Sequence, residues 1–114
     1  MVRVRIERDP SGNIKSISAS GHAGFAERGS DIVCSAVSAL LQTLRLGLAN
    51  LGACGSFSSV SGGFLRLSLP DFEGRDDSIR ASFLFDTVAS ALFEIADSYR
   101  GFVRVENFSE KRGR

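Results

Sequence analysis

The stretch SDIVCSAVSALLQTLRLGLANLG, residues 30–52, decides the fold because its apolar residues recur at the spacing of one helical face. Ser30 or Asp31 can serve as the N-cap, since either side chain accepts a hydrogen bond from an otherwise unpaired amide. Gly52 can end the helix, because glycine adopts a left-handed conformation at little cost. The stretch therefore predicts one long helix with a single apolar face.

Two strands are predicted before this helix. Residues 2–7 alternate between apolar and charged side chains, which is typical of a strand with one buried face. Residues 9–13 contain proline, glycine and asparagine and predict a turn. Residues 14–20 then return as a second strand, so the N-terminal segment is predicted to form a β-hairpin.

The remaining elements follow the helix. Residues 57–60 and 64–69 predict a second hairpin, and Asp76, Asp77 or Ser78 is expected to cap a second helix that stops at Gly101. Residues 102–106 alternate again as a last strand. The order ββαββαβ predicts an α+β fold, with an antiparallel or mixed five-stranded sheet and both helices packed on one face.

Residues 1–109 are expected to form one domain and residues 110–114 a short charged tail. Phe83 and Phe93 fall outside the apolar stripe of the second helix. Extra apolar surface on a small domain indicates a partner face, and a symmetric homodimer is the commonest arrangement.

Composition limits the function classes. The chain has 114 residues with 14 basic and 13 acidic side chains, so its formal net charge of +1 gives no case for a nucleic-acid requirement. Local basicity is nevertheless present at Arg3, Arg5, Arg8, Arg66 and Arg104. No signal-peptide core and no apolar run approaching a membrane span is recognised, and two cysteines are too few for a disulfide framework. We expect a cytoplasmic protein with reduced thiols and no membrane partner.

Cys34 and His22 are the residues most suited to chemistry. Cys34 falls in the first turn of the long helix, where unpaired amides favour a thiolate by about 0.3–1 kcal/mol. A nucleophile needs a stronger source, usually an imidazole, and His22 is the only histidine of the chain. From the residues alone three other interpretations stay open: a buried core cysteine, a structural histidine, and a helix start that binds an anion passively.

Other combinations are weaker. A zinc site built from His22, Asp31, Cys34 and Cys54 lacks any paired Cys-x-x-Cys spacing, so no metal is expected. Cys54 is interpreted as a structural cysteine, since free cysteine is among the most buried residue types.

A resemblance adds to this interpretation. The run Gly21-His22-Ala23-Gly24, followed by GSDIVCSAVSAL at residues 29–40, resembles the ribosomal-processing cysteine protease family, called Prp. The resemblance extends in length and element order over nearly the whole chain, and its specificity rests on residues 21–40. Ser35 stands where the family usually has alanine, which is a small change.

The resemblance implies a mechanism. Cys34 would be the nucleophile and His22 the base, while Asp31 would either orient His22 or only cap the helix. The oxyanion would lie on the amides of the helix start, with the Cys34 N–H as the first candidate. No cofactor is implied.

The family's substrate is the precursor of the large-subunit ribosomal protein bL twenty-seven, which loses an N-terminal extension that ends in aromatic residues. The glycine-rich loop would then contact this peptide through Gly21, Gly24, Phe25, Gly29 and Ser30, with Ser38 one helical turn after Cys34. Two other classes remain as alternatives: a non-catalytic ribosome-associated assembly or binding protein with the same fold, and a redox sensor that uses Cys34.

Overall fold

The computed structural model describes residues 1–21, 31–53, 57–60 and 64–109. Its elements, in chain order, are β1 (Val2–Arg8), β2 (Ile14–Ser20), α1 (Ile32–Asn50), β3 (Phe57–Val60), β4 (Phe64–Ser68), α2 (Arg75–Ser98) and β5 (Val103–Ser109). The predicted tail at residues 110–114 lies outside the described residues.

The strands form one mixed sheet in the order β3-β4-β2-β1-β5. β1 pairs with β2 in the antiparallel direction and with β5 in the parallel direction. The predicted α+β class, with two helices and a mixed sheet, is confirmed. β1 lies between its hairpin partner and the last strand of the chain, so its backbone hydrogen bonds are used on both edges.

One face of the sheet is buried and the other is open. Val2, Val4 and Ile6 of β1 are at most 3% exposed, while the residues between them are exposed. The inward residues of the strands belong to one core cluster with residues of both helices, which places α1 and α2 on the same face. Burial of this continuous apolar surface is the main force that holds the helices against the sheet.

Helix α1 follows the predicted pattern. Its buried residues, Val33, Val37, Leu41, Leu44 and Leu48, lie three or four positions apart and form one stripe toward the core. Leu51 is the C-cap, and Gly52 after it has φ +81°, a conformation that favours glycine. The predicted end of the helix is therefore confirmed.

By length and composition α1 could also cross a membrane. The expectation that no segment approaches a membrane span is therefore wrong by these two measures. The buried stripe of α1 nevertheless belongs to the same core cluster as the strands and α2, which is how a core helix behaves.

Helix α2 begins earlier than predicted. Its N-cap is Gly74, which makes no side-chain cap hydrogen bond, and Asp76 and Asp77 lie inside the first turn. The prediction that Asp76, Asp77 or Ser78 caps this helix is wrong. Acidic side chains in a first turn interact favourably with the positive end of the helix dipole. An acidic residue near a predicted helix start can therefore be either the N-cap or part of the first turn.

Candidate active site

The beginning of α1 is fixed by one buried carboxylate. Asp31 is the N-cap, and its Oδ1 accepts hydrogen bonds from Val33 N–H and Cys34 N–H, each at 3.0 Å. Asp31 is only 5% exposed. Of the two predicted caps, Asp31 is the one observed, while Ser30 lies outside the described part of the chain.

This cap changes the expected place of the oxyanion. The Cys34 N–H, the first candidate from the sequence, donates to Asp31 at 3.0 Å, so an oxyanion on this amide would have to share or replace that hydrogen bond. Ile32 supplies the first amide of the helix, and its N–H has no acceptor among the described residues. The first amides of any helix lack intrahelical partners, so Ile32 N–H is a donor that a substrate oxygen could use.

Cys34 lies at the edge of a small cavity of about 160 Å³. The walls are mostly apolar and come from the ends of β1 and β2, the first two turns of α1, and β4. The lining residues are Val2, Ala19, Ser20, Gly21, Cys34, Val37, Ser38 and Leu65. The half-buried thiol therefore faces a space that suits an apolar group, with Ser20 and Ser38 as the polar residues of the wall.

Gly21 follows the last residue of β2 and has a conformation that favours glycine. Its φ is +87°, and a Cβ added to it would lie 2.5 Å from the carbonyl oxygen of Met1. A side chain at this position would have to push the first residue of the chain away from the end of the sheet. Gly21 therefore fixes where the chain leaves β2 for the segment that begins with His22.

The predicted site residues divide into two groups. Gly21, Asp31, Cys34 and Ser38 are brought together around the beginning of α1. The others, His22, Gly24, Phe25, Gly29 and Ser30, lie outside the described residues, as does Cys54.

Five wall residues were not predicted as site residues: Ser20, Val37 from the buried stripe of α1, and the strand residues Val2, Ala19 and Leu65. The alternating pattern of the strands shows that such residues point inward, but it does not show which end of the sheet meets the helix start. Within the described ranges, no group of three or more His, Cys, Asp or Glu side chains could hold a metal ion.

A thiol at a capped helix start, beside an apolar cavity and a tight glycine turn, defines a candidate thiol hydrolase. The chain belongs to the cysteine protease Prp family, whose profile matches residues 1–104. It is therefore a cysteine protease, and the resemblance carried by residues 21–40 is confirmed.

Solved structures share this fold. The ribosomal processing protease Prp of Staphylococcus aureus with a covalently linked product peptide has a TM-score of 0.83 at 24% identity, over 95% of this chain and 100% of that one. The same protease with a substrate peptide has a TM-score of 0.77 at 22% identity, again over 95% and 100% of the two chains. A Streptococcus mutans protein has a TM-score of 0.76 at 26% identity, over 96% of each chain. A search of curated protein sequences finds no match.

Proposed function

We propose that this protein is the endopeptidase that removes the N-terminal extension of ribosomal protein bL twenty-seven during ribosome maturation, with Cys34 as the nucleophile and His22 as its base. The observation that carries the proposal is the shared cavity. Cys34 and Gly21, which is the covalent neighbour of His22, line the same space. Gly21 from the first half of the family's motif and Cys34 from the second thus border one space, which supports a pairing of the thiol with the residue that follows Gly21.

In this mechanism the imidazole of His22 takes the proton of the Cys34 thiol. The thiolate forms a C–S bond to the scissile carbonyl carbon, and the carbonyl oxygen becomes an oxyanion. The C–N bond then breaks as His22 returns the proton to the leaving amine. Water, activated by the same imidazole, hydrolyses the thioester and restores the thiol.

The cavity supports an apolar residue next to the scissile bond. A peptide that brings its carbonyl carbon to Cys34 can direct a neighbouring side chain into the apolar space of about 160 Å³. The family resemblance implies an extension that ends in aromatic residues, and an apolar wall favours such side chains over charged ones. Structures of the S. aureus protease with a substrate peptide and with a covalently linked product peptide support a peptide substrate.

In the same proposal, the glycine-rich segment contacts the substrate. Gly24, Phe25, Gly29 and Ser30 would close over the peptide, while Ser38 borders it from the next turn of α1. Asp31 would act mainly by holding the helix start in place.

The quaternary state and location belong to the proposal as well. Phe83 is 69% exposed and Phe93 is 39% exposed on α2, which supports a homodimer formed through this helix. A ribosomal precursor as substrate supports a cytoplasmic location.

The experiment is incubation with a synthetic peptide that spans the extension, followed by mass spectrometry of the products. Wild type should release one N-terminal fragment. Cys34→Ala should bind the peptide and release none, and His22→Ala should lose most activity because the thiol loses its base. Cys54→Ala is the matched control, since it removes the other cysteine and should leave cleavage intact.

Two results would contradict the proposal at different levels. Cleavage by Cys34→Ala at the wild-type rate would end the assignment of the nucleophile. Equal cleavage of a peptide with the same composition in scrambled order would contradict specificity for the ribosomal extension. The protein would then be a general thiol peptidase.

A further inference from the structure

Charge is segregated between the two layers of the fold. The five strands contain six basic residues and two acidic ones, whereas α2 contains two basic residues and five acidic ones. The near-neutral total therefore conceals a basic sheet and an acidic helix. An asymmetry of this kind directs a polyanion to one side of a protein.

The strand register places two arginines side by side on the open face of the sheet. Arg3 of β1 pairs directly with Arg104 of β5, and both residues are exposed. Like charges directly opposite each other destabilise a sheet. Among the described residues, no carboxylate forms a salt bridge with either arginine. An external anion between the two guanidinium groups would relieve this repulsion.

A second pair of arginines lies one row further along. Arg5 and Arg66 lie on either side of Ser18, because both strands pair with β2 at that residue. Both arginines approach the same carboxylate of Glu7, at 3.8 Å and 3.6 Å. Glu106 also lies opposite Arg5 in the register of β1 and β5, although no salt bridge joins the two among the described residues. Exposed ion pairs at the distances to Glu7 are weak, so these carboxylates offset the charge of the arginines only in part.

The strand between these arginines presents only hydroxyl groups to the open face. Ser16, Ser18 and Ser20 alternate along β2; the first two are buried between the longer side chains of the neighbouring strands, and Ser20 also borders the cavity at Cys34. Ser16 is 2% exposed, and its Oγ has no hydrogen-bond partner among the described residues. Ser16 also lines a depression that holds two cations, Lys15 and Arg66, and three carboxylates, those of Glu7, Asp9 and Asp71, so the depression itself is not a phosphate site. A buried hydroxyl without a partner is unusual in a folded protein and indicates a missing acceptor or donor.

An aromatic ring completes the face. The Arg5 guanidinium lies 3.8 Å from the ring centroid of Phe108, which is 37% exposed. Aromatic rings and guanidinium planes are the surfaces on which nucleobases stack, and an acidic peptide has no comparable use for them.

We propose that the open face of the sheet binds the phosphate backbone of single-stranded RNA. Arg3, Arg104, Arg5 and Arg66 contact phosphates, and the Arg5–Phe108 pair stacks a base. This site is separate from the peptidase chemistry, because the arginines do not line the cavity at Cys34. RNA binding and peptide cleavage can therefore succeed or fail independently.

The test is fluorescence anisotropy with a labelled oligouridylate of about twelve nucleotides, at several salt concentrations. Four arginine–phosphate contacts on a single strand give a slope of about −2.8 in the logarithmic plot of affinity against salt, so Kd should rise about 50-fold between about 50 and about 200 mM salt. Arg3→Gln/Arg104→Gln removes two phosphate contacts and should bind RNA more weakly at low salt. Its Kd should rise only about sevenfold over the same change in salt. Its thermal stability should not fall, because a like-charge pair is removed.

The matched control is Arg75→Gln/Arg80→Gln, which makes the same charge change on α2 and should keep the wild-type slope. Three outcomes would overturn the proposal. These are no binding of the oligouridylate by wild type at the lowest salt, an equal loss in the control variant, and displacement of the RNA by a glutamate-rich peptide more readily than by unlabelled RNA of equal charge. The last result would assign the face to an acidic protein segment instead.

Discussion

Replacing Asp31 by alanine removes the carboxylate oxygen that accepts hydrogen bonds from both Val33 N–H and Cys34 N–H at 3.0 Å. Loss of an N-cap costs about 0.5–2 kcal/mol of stability. Asp31 is 5% exposed and Val33 is 1% exposed, so water cannot easily replace the lost acceptor. We therefore expect a loss near the upper end, about 2 kcal/mol, or a fall in Tm of about 8 °C for a domain of this size.

Asp31→Asn separates the cap from the charge. Asparagine caps helices about as well as aspartate, so the free energy of unfolding of this variant should fall by only a few tenths of a kcal/mol. If Asp31 acts through the helix start, Asp31→Asn should cleave the extension peptide with nearly wild-type kcat/KM. Asp31→Ala should also cleave it when the assay temperature is well below its Tm.

The measurements are thermal denaturation by circular dichroism and steady-state cleavage of the same peptide. An unchanged Tm in Asp31→Ala would refute the reasoning from the two amide hydrogen bonds. A loss in kcat/KM of about a hundredfold in Asp31→Asn, with unchanged Tm, would show that the carboxylate orients His22 during catalysis.

Gly21→Ala should lower the free energy of unfolding by more than the roughly 1 kcal/mol that a positive φ costs a residue with a Cβ, because the added Cβ also meets the Met1 carbonyl oxygen. Peptide cleavage should fall together with stability. Gly12→Ala is the control in urea denaturation, since Gly12 has φ +92° and open space around it; equal losses in the two variants would leave no role for the contact with Met1. Ile32→Pro should remove the Ile32 N–H and keep the helix, because proline is favoured at the first helical position. The preceding residue, Asp31, has ψ 100°, an extended conformation that a following proline allows. If that amide binds the oxyanion, kcat should fall about a hundredfold relative to Ile32→Ala; equal kcat values would place the donor elsewhere.

The elements that the sequence predicts well are those whose pattern is local. Alternation in β1 and the helical spacing in α1 each identify a buried face within one segment. The parallel pairing of β1 with β5 has no such signal, because it joins residues about a hundred positions apart. Gly74 as an N-cap was also missed, since no side-chain hydrogen bond marks it.

For the site, sequence reasoning identified residues but not their surroundings. Cys34 and Asp31 were recognised from the helix start, whereas the walls formed by Val2, Ala19 and Leu65 depend on three strands that meet only in the fold. The pairing of Arg3 with Arg104 is likewise a property of register. Net charge cannot report it, because the acidic residues of α2 cancel the total.

The parallel pairing of β1 with β5 also sets the order of events during synthesis. Val2 pairs with Val103, and the Val2 N–H donates a hydrogen bond to the Phe102 carbonyl oxygen at 2.8 Å. β1 therefore obtains its second partner only after residues 102–109 have left the ribosome. Because Val2 is a wall of the cavity at Cys34, the peptide-binding site is completed after translation of its last strand. The cavity at Cys34 is thus expected to reach its final form only after β5 has been synthesised and has paired with β1.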